Sequence, residues 1–328
     1  MFSEINQKST AVFFHYFERN EFYKDNLIYF LTVGYLENVD FYIVISGDCS
    51  IKNLPKKENI FYVYAENKNF DFGGHVAGIN YMITQGRRYE NFIFINSSVR
   101  GPFINFSYKN PWINIFLDQF SNKTHLVGSS INIPVNETPE VRRFKELFSF
   151  SNSSYAHIQT MAYAMTRKAF DFLMSINFFD ASIAFSRIDV ICRYEIRLSQ
   201  EILKHGWNIG CFLPEYNAID YLAPEIDKSL VLGGQEGAID KGVYFGRTLN
   251  LMEILFIKVN RGSISNLDLY SYTYTGLIRS KTYFRLEWDE ARYLEKKSLA
   301  YIKLGMENRI KNSKSLLNRL INKIIGSS

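Results

Sequence analysis

Two short stretches carry the central chemical signal of this chain. The first, ENKNFDFGGHVAGINYM (Glu66 to Met82), leaves an apolar run, turns through Asn67, Asn69, Asp71 and Gly73–Gly74, and enters a helical pattern. Glycines at such a turn let backbone approach a ligand closely, and a helix N-terminus there favours an anion. The spacing is neither GxGxxG nor a P-loop, so a plain βα loop with a glycine turn fits the same residues. The second, NFIFINSSVRGPF (Asn91 to Phe103), ends an apolar run in Asn96-Ser97-Ser98. Neutral amide and hydroxyl groups are weak ligands for Mg²⁺ or Mn²⁺, which prefer carboxylates. They suit a hydrogen-bonding cradle for phosphate or sugar, with Arg100 supplying positive charge, and they also fit an ordinary polar strand end.

Other candidates lie further along. His157 and Gln159 alternate onto one face of a predicted strand, a geometry suited to recognising hydroxyls. DVICRYEIRLSQEILKHG (Asp189 to Gly206) reads as a helix stopped by Gly206, and it carries Asp189 and Glu195. By residue type, Glu195 is also a surface partner for Arg193, Arg197 or Lys204. His15 and Glu18 close the first apolar run. Trp207, Asp220 and Tyr221 offer a stacking wall and a hydroxyl partner for a sugar, although Trp207 equally suits a core. Arg247, Lys258 and Arg261 are cations able to clamp a diphosphate where no metal does so, or to form surface ion pairs.

These groups need a frame. The runs Ala11–Phe17, Phe41–Ser46, Ile60–Ala65 and Phe92–Asn96 predict buried strands, with helices over Glu21–Leu36 and Gly74–Gln85. Continuous apolar strands separated by helices predict a parallel sheet covered on both faces, with ligands bound beyond the strands' carboxyl ends. Each run does end in polar or Gly residues: Glu18, Gly47–Asp48, Glu66–Asn67 and Asn96–Ser98. The second half predicts a strand over His125–Ile133, a polar loop from Pro134 to Tyr155, and a strand that turns into a helix near Thr166. A further strand over WNIGCFLP and a Gly-rich loop from about Glu225 to Gly242 follow. Leu251–Arg261 fits either a packed helix or a strand.

Composition narrows the classes. With 328 residues, 47% hydrophobic and 22% charged, the chain can bury a core, which excludes disorder as its main state. A net charge of +5 against 38 basic residues does not point to nucleic acid. Cys49, Cys192 and Cys211 are widely spaced, which fits a reducing compartment better than a disulfide framework. The N-terminus lacks a signal-like apolar core, and no stretch approaches 18 uninterrupted apolar residues, so no bilayer span is expected. Near the end, Leu316, Leu317, Leu320, Ile321, Ile324 and Ile325 fall at helical spacing among many Lys and Arg. Such a helix can lie on an anionic bilayer or dock on protein.

Taken together, the two stretches resemble the rhamnan-synthesis rhamnosyltransferases and related bacterial polysaccharide glycosyltransferases. In that group an Asn-x-Gly/Phe-Asp-Phe-Gly loop precedes a helix, and a strand ending Asn-Asp-Ser runs into Gly-Pro. Here the positions read Asn67-Lys68-Asn69-Phe70-Asp71-Phe72-Gly73, then Asn96-Ser97-Ser98 before Gly101-Pro102. HIQTMAYAMTRKAF is similar to the family's acceptor-side strand and YEIRLSQEILKHGWNIG to its catalytic helix, so the likeness covers roughly residues 10 to 215. Galactofuranosyltransferases of O-antigen assembly are similar in the same places.

The resemblance implies an α/β fold, GT-A-like and doubly wound, with a mostly parallel sheet, helices on both faces and a helical C-terminal extension. Residues 1–285 would form the transferase domain and 286–328 a basic amphipathic extension. The implied reaction is an inverting transfer of a rhamnose- or galactofuranose-type sugar from a nucleotide-sugar donor. The acceptor is a hydroxyl of a growing surface polysaccharide, capsule or O-antigen, or a lipid-linked glycan. The implied place is the cytoplasm, with the tail helix on the inner face of the cytoplasmic membrane. Glu195 falls at the general base, with Asp189 in reserve. Donor contacts fall to His15, Asn67, Asp71, Gly73, Asn96, Ser97, Ser98 and Arg100, and acceptor contacts to His157, Gln159, Asp220 and Tyr221. GT-A enzymes usually hold a divalent metal on an Asp-x-Asp at the fourth strand's end. Its absence leaves dependence on Mg²⁺ or Mn²⁺ open, and keeps a non-catalytic nucleotide- or glycan-binding module as the alternative.

Overall fold

The computed structural model describes residues 8–134, 138–150, 154–227, 229, 237–283 and 286–325; side chains of 282, 283, 312, 313 and 315–325 lie outside that description. The four apolar runs form β1 (Thr10–Tyr16), β2 (Asp40–Ser46), β3 (Ile60–Ala65) and β4 (Asn91–Asn96), each within a residue of expectation. Helix α1 (Glu21–Val33) joins β1 to β2, and α2 (Phe70–Thr84) joins β3 to β4. Asn20 caps α1, its side chain accepting from the backbone N–H groups of Phe22 and Tyr23.

Beyond β4 the chain forms β5 (Val99–Arg100), α3 (Asn114–Leu117), β6 (Thr124–Gly128), β7 (Ile131–Asn132), α4 (Pro139–Leu147), β8 (His157–Ile158) and β9 (Ala162–Thr166). Helices α5 (Arg167–Ser175) and α6 (Arg187–Val190) follow, then a π-helical turn (Ile191–Ile196), α7 (Arg197–Lys204), β10 (Asn208–Cys211) and α8 (Pro214–Asn217). The last elements are α9 (Leu251–Ile254), β11 (Ile257–Lys258), α10 (Asn266–Tyr283) and α11 (Asp289–Ile325).

Seven strands make the central sheet in the order β10-β6-β9-β4-β1-β2-β3. Pairings β1–β2, β2–β3, β1–β4 and β6–β10 are parallel, while β9 runs antiparallel between β4 and β6. Side-chain alternation on β1 sends neighbouring rings to opposite faces. Phe14 stacks on Phe30 of α1 at 4.6 Å, whereas Phe13 lies between Tyr42 and Phe94 at 4.8 and 5.0 Å, under α2. Helices therefore cover both faces, as expected for a doubly wound, mostly parallel sheet. Each such ring buried from water contributes about 2 kcal/mol.

Several local expectations are corrected. Helix α2 starts at Phe70 instead of Gly74, because Asn69 and Phe70 make the turn themselves at φ 56° and 55°. The Asn69 carboxamide secures that turn, donating to the Ile183 carbonyl at 2.7 Å and accepting from the Phe185 N–H at 2.9 Å. Gly73 and Gly74 thus sit inside the helix. A Cβ at Gly74 would lie 2.0 Å from the His15 ring, so glycine lets α2 press onto the end of β1. His125–Ile133 is two strands broken at Ser129–Ser130, and the polar stretch Pro134–Tyr155 contains α4, capped by Thr138 with Pro139 in its first turn. Leu251–Arg261 divides between α9 and β11. In the Gly-rich stretch Glu225–Gly242, residue 228 and residues 230–236 lie outside the described residues.

The C-terminal part is helical. Helices α10 and α11 pack on each other and on α1, with Tyr270 stacked on Tyr301 at 4.1 Å. Between them Asp25 of α1 is fully buried; it accepts from Tyr270 at 2.5 Å and from Lys297 at 2.9 Å. The tail residues Leu316, Leu317, Leu320, Ile321, Ile324 and Ile325 continue α11, but their side chains lie outside the described residues. Among the described residues no helix is long and apolar enough to cross a membrane.

Candidate active site

The carboxyl ends of β1, β3 and β4 open into a cleft of about 1040 Å³. His15 reaches it from β1, Asn67 from the turn after β3, and Asn96, Ser97 and Ser98 from the end of β4. The polar strand end is fully engaged. Asn96 donates from Nδ2 to Asp71 Oδ2 at 2.7 Å and accepts at Oδ1 from the N–H and hydroxyl of Ser98 at 3.1 and 2.5 Å. Ser97 bonds the backbone of Phe17 in both directions, and its carbonyl accepts from Asn26 at 2.9 Å. A βα turn and a strand end separated by a whole helix in sequence are thereby joined at Asp71.

Around Asp71 the titratable groups are packed closely. His15 is buried against Ser46 Oγ at 3.0 Å. Burial first, and then the neighbouring His75, lower its pKa to about 4, against the opposing pull of Asp71. His75 is likewise lowered, mainly by burial; its Nε2 carries a proton donated to the Ile95 carbonyl at 3.1 Å. Both imidazoles are thus neutral near pH 7. Tyr163 on β9 lines the same cleft. Burial, then the charges of Asp71 and Glu195, hold its hydroxyl well above the ordinary phenol range. Two carboxylates therefore act on one buried phenol.

Glu195 owes its position to the π-helical turn. α6, the turn and α7 form one continuous helix in which the wider turn resets the face presented to the cleft. On this turn Tyr194 stacks on Phe72 of α2, centroids 3.7 Å apart, and donates to the Asp180 carbonyl at 2.7 Å. Glu195 lines the cleft beside it and is half-buried. Asp189, the reserve base, does not line the cleft: it pairs with Arg143 of α4 at 2.8 Å, which lowers its pKa.

The opposite end of the cleft is formed by β8, the loop into β9 and the first turn of α4. His157 and Gln159 both line it and are buried. His157 donates from Nδ1 to the Tyr155 carbonyl at 2.8 Å. The helix that carries Glu195 is fastened to this strand, since Ser199 accepts from the Ile158 N–H at 3.0 Å and Gln200 donates to the Ala156 carbonyl at 2.9 Å. Asn96 N–H bonds the Met161 carbonyl at 3.2 Å, tying the same loop to the β4 end.

Other expected residues lie elsewhere. Arg100 is fully buried on the far side of β5, donating to Asn26 at 2.8 Å and Thr273 at 3.2 Å, with Asp25 at 3.6 Å. It cannot meet a ligand in the cleft. Gly73 does not line the cleft either; a Cβ there would collide with the Lys68 carbonyl at 1.7 Å, which is reason enough for glycine. Tyr221 is buried with its hydroxyl on the Tyr216 carbonyl, and Asp220 bonds the Leu222 N–H, both away from the cleft. Trp207 packs with His125 and His205. Glu18 accepts from Tyr16 and from the Ser50 N–H. Arg247 forms a two-pronged pair with Glu253.

Of the three cations Arg247, Lys258 and Arg261, the last two do line the cleft, as do Arg19 and Arg187. Residue type alone could not direct Lys258, because its position depends on β11 pairing with β5, far away in sequence. Phe72, His75, Tyr163 and Tyr194 were also missed; each reads as a core residue, and the only signal is their place next to Asp71, the β9 strand and Glu195. The donor set does not fit the divalent metal of an Asp-x-Asp site. Asp71 is hydrogen-bonded to the strand end through the neutral Asn96 carboxamide, and among the described residues no three His, Cys, Asp or Glu side chains are grouped to hold an ion.

No family model and no curated protein matches the chain. Among solved structures it is similar to the mannosyltransferase PcManGT from Pyrobaculum calidifontis in complex with GDP-Man and Mn²⁺, at 10% identity over 92% of this chain and 87% of that one, TM-score 0.35. It is also similar to a glycosyltransferase involved in glycosylating the major capsid of PBCV-1, at 13% identity, 52% and 65% coverage and TM-score 0.28. A third similar structure is the galactosyltransferase LgtC in complex with donor and acceptor sugar analogues, at 10% identity, 56% and 69% coverage and TM-score 0.29. Likenesses this distant leave the function to the cleft's own chemistry.

Proposed function

We propose that the chain is a glycosyltransferase that moves a sugar from a nucleotide-diphosphate donor to a hydroxyl of a glycan, with inversion at the anomeric carbon. The observation that carries the reading is the convergence of Asp71 and Glu195, from two separate helices, on one cleft at the carboxyl ends of the strands. In this reading the donor lies over Asn96–Ser98, with His15 and Asn67 around it. The acceptor lies toward His157 and Gln159. Its hydroxyl oxygen bonds to the anomeric carbon while Glu195 takes the hydroxyl proton, and the bond to the diphosphate breaks with its electron pair leaving on the nucleoside diphosphate. A single displacement of this kind inverts the centre. Asp71, held by Asn96, is placed to accept from a sugar hydroxyl.

The rhamnose or galactofuranose class, the surface-polysaccharide or O-antigen acceptor, the division at residue 285 and the cytoplasmic membrane face are supported by the resemblance and the basic tail. The test is transfer from a panel of nucleotide-sugars, activated rhamnose and galactofuranose among them, to glycan acceptors, with the product's anomeric configuration read by NMR. An inverted product is expected. Donor binding without turnover on every acceptor would favour the non-catalytic module instead.

A further inference from the structure

We infer that Lys258 and Arg261 form a metal-free seat for the donor's diphosphate, an inference that rests on the sugar-transfer reading. Strand β11 pairs antiparallel with β5, setting Lys258 opposite Val99, and the Val259 N–H donates to the Ser98 carbonyl at 3.1 Å. One residue on, Asn260 donates to the Tyr23 hydroxyl at 3.3 Å. The segment is thus held at two points across the end of β4, and the cations on either side of Asn260 both line the cleft with Ser97 and Ser98. Arg19 joins the same lining from the β1–α1 turn.

The strand end itself is a poor place for a hard cation. Both ends of the Asn96 carboxamide are occupied within the protein, by Asp71 and by Ser98, and the hydroxyls beside it are neutral. A diphosphate leaving group nevertheless carries two or more negative charges that must be neutralised as the sugar departs. Lys258 supplies a point charge and Arg261 a fork that grips two phosphate oxygens at once. Together they deliver the charge that a bound divalent ion would otherwise bring.

The experiment is calorimetric titration of the full-length protein with inorganic pyrophosphate and with UDP, GDP and dTDP, in EDTA and again in Mn²⁺. Binding in EDTA is expected, with little gain from Mn²⁺. Lys258→Met and Arg261→Met should each weaken it about tenfold or more, and Lys258→Arg should retain most of it. Melting curves of every variant establish that it is folded, and the comparison of EDTA with Mn²⁺ on the unaltered protein needs no variant at all. Binding that requires Mn²⁺ or Mg²⁺ would overturn the seat while leaving sugar transfer standing. Undiminished EDTA binding in the folded Met variants would overturn it too. If none of the probes binds under either condition, the seat and the donor reading fall together.

Discussion

The Asn96 carboxamide donates to Asp71 at 2.7 Å, so a neutral side chain at a strand end holds the carboxylate of the facing helix turn. Replacing the donor by an acid tests what that neutrality does. In Asn96→Asp two carboxylates face each other, and one must take a proton or recruit a cation. The variant should lose about 1–3 kcal/mol in EDTA, and its melting temperature should rise on adding Mn²⁺. The unaltered protein should not respond. An equal Mn²⁺ response in both would mean that the native site already binds metal.

Glu195 and Asp189 lie on one continuous helix and separate cleanly by substitution. Glu195→Gln should fold normally and lose transfer by about 10²- to 10⁴-fold, the usual effect of removing a general base. Asp189→Asn gives up a surface pair with Arg143, costs less than about 1 kcal/mol, and should leave turnover unchanged. Steady-state rates of the two variants decide the assignment, and a reversed result would move the base to Asp189.

Arg100 should matter for stability and not for ligand affinity. Arg100→Met leaves Asp25 buried with Lys297 and Tyr270 but without its guanidinium neighbour, and removes the donor to Asn26 Oδ1 and Thr273 Oγ1. Breaking a buried pair in this way costs about 3–5 kcal/mol. Urea unfolding should register that loss, while pyrophosphate affinity of the folded protein stays as it was. A selective loss of affinity would restore Arg100 to the donor site.

His15 predicts an acid limit. Its folded pKa of about 4 lies below the ordinary 6.5, so the unfolded chain binds a proton there first. Stability from this group is complete above about pH 6.5 and is lost as pH falls toward 4, by about 3 kcal/mol in all. His15→Gln keeps a partner for Ser46 and cannot titrate. Its melting temperature should fall less steeply between pH 6.5 and 4; parallel curves would rule His15 out as the cause.

The tail can be cut to test the membrane. Up to Gly305, α11 is anchored by buried Ala291, Leu294 and Ser298 and by Lys297 on Asp25, whereas from Met306 to Lys311 every side chain is exposed. Ending the chain after Gly305 should leave the melting temperature nearly unchanged and weaken flotation with anionic vesicles. Unaltered flotation would remove the membrane role.

How far the fold was legible follows from what kind of signal each part leaves. Strands β1 to β4 are continuous apolar runs with polar ends, and burial of a central parallel sheet leaves no other pattern, so their positions and the cleft's location could be read directly. The start of α2 could not, because Asn69 and Phe70 adopt a left-handed turn that depends on contacts with residues 183 and 185. The reversed direction of β9 is invisible for a related reason: an apolar strand of five residues looks alike either way round. Arg100 misled because a residue next to a polar strand end can face either side, and alternation along β5 sent it inward. Lys258 was recognised as a cation but had no direction until β5 and β11 paired.

The π-helical turn at Ile191–Ile196 amounts to one extra residue wound into an otherwise ordinary helix. Residues along an α-helix step by about 100°, so losing Ile196 would swing everything before it, Glu195 included, by that angle relative to α7. The carboxylate could then leave the cleft with every side chain around it still present. Here the geometry of the site is stored in the count of residues as much as in their identity. Shortening the segment by one and then restoring its length with an alanine elsewhere in the turn would separate the two kinds of information.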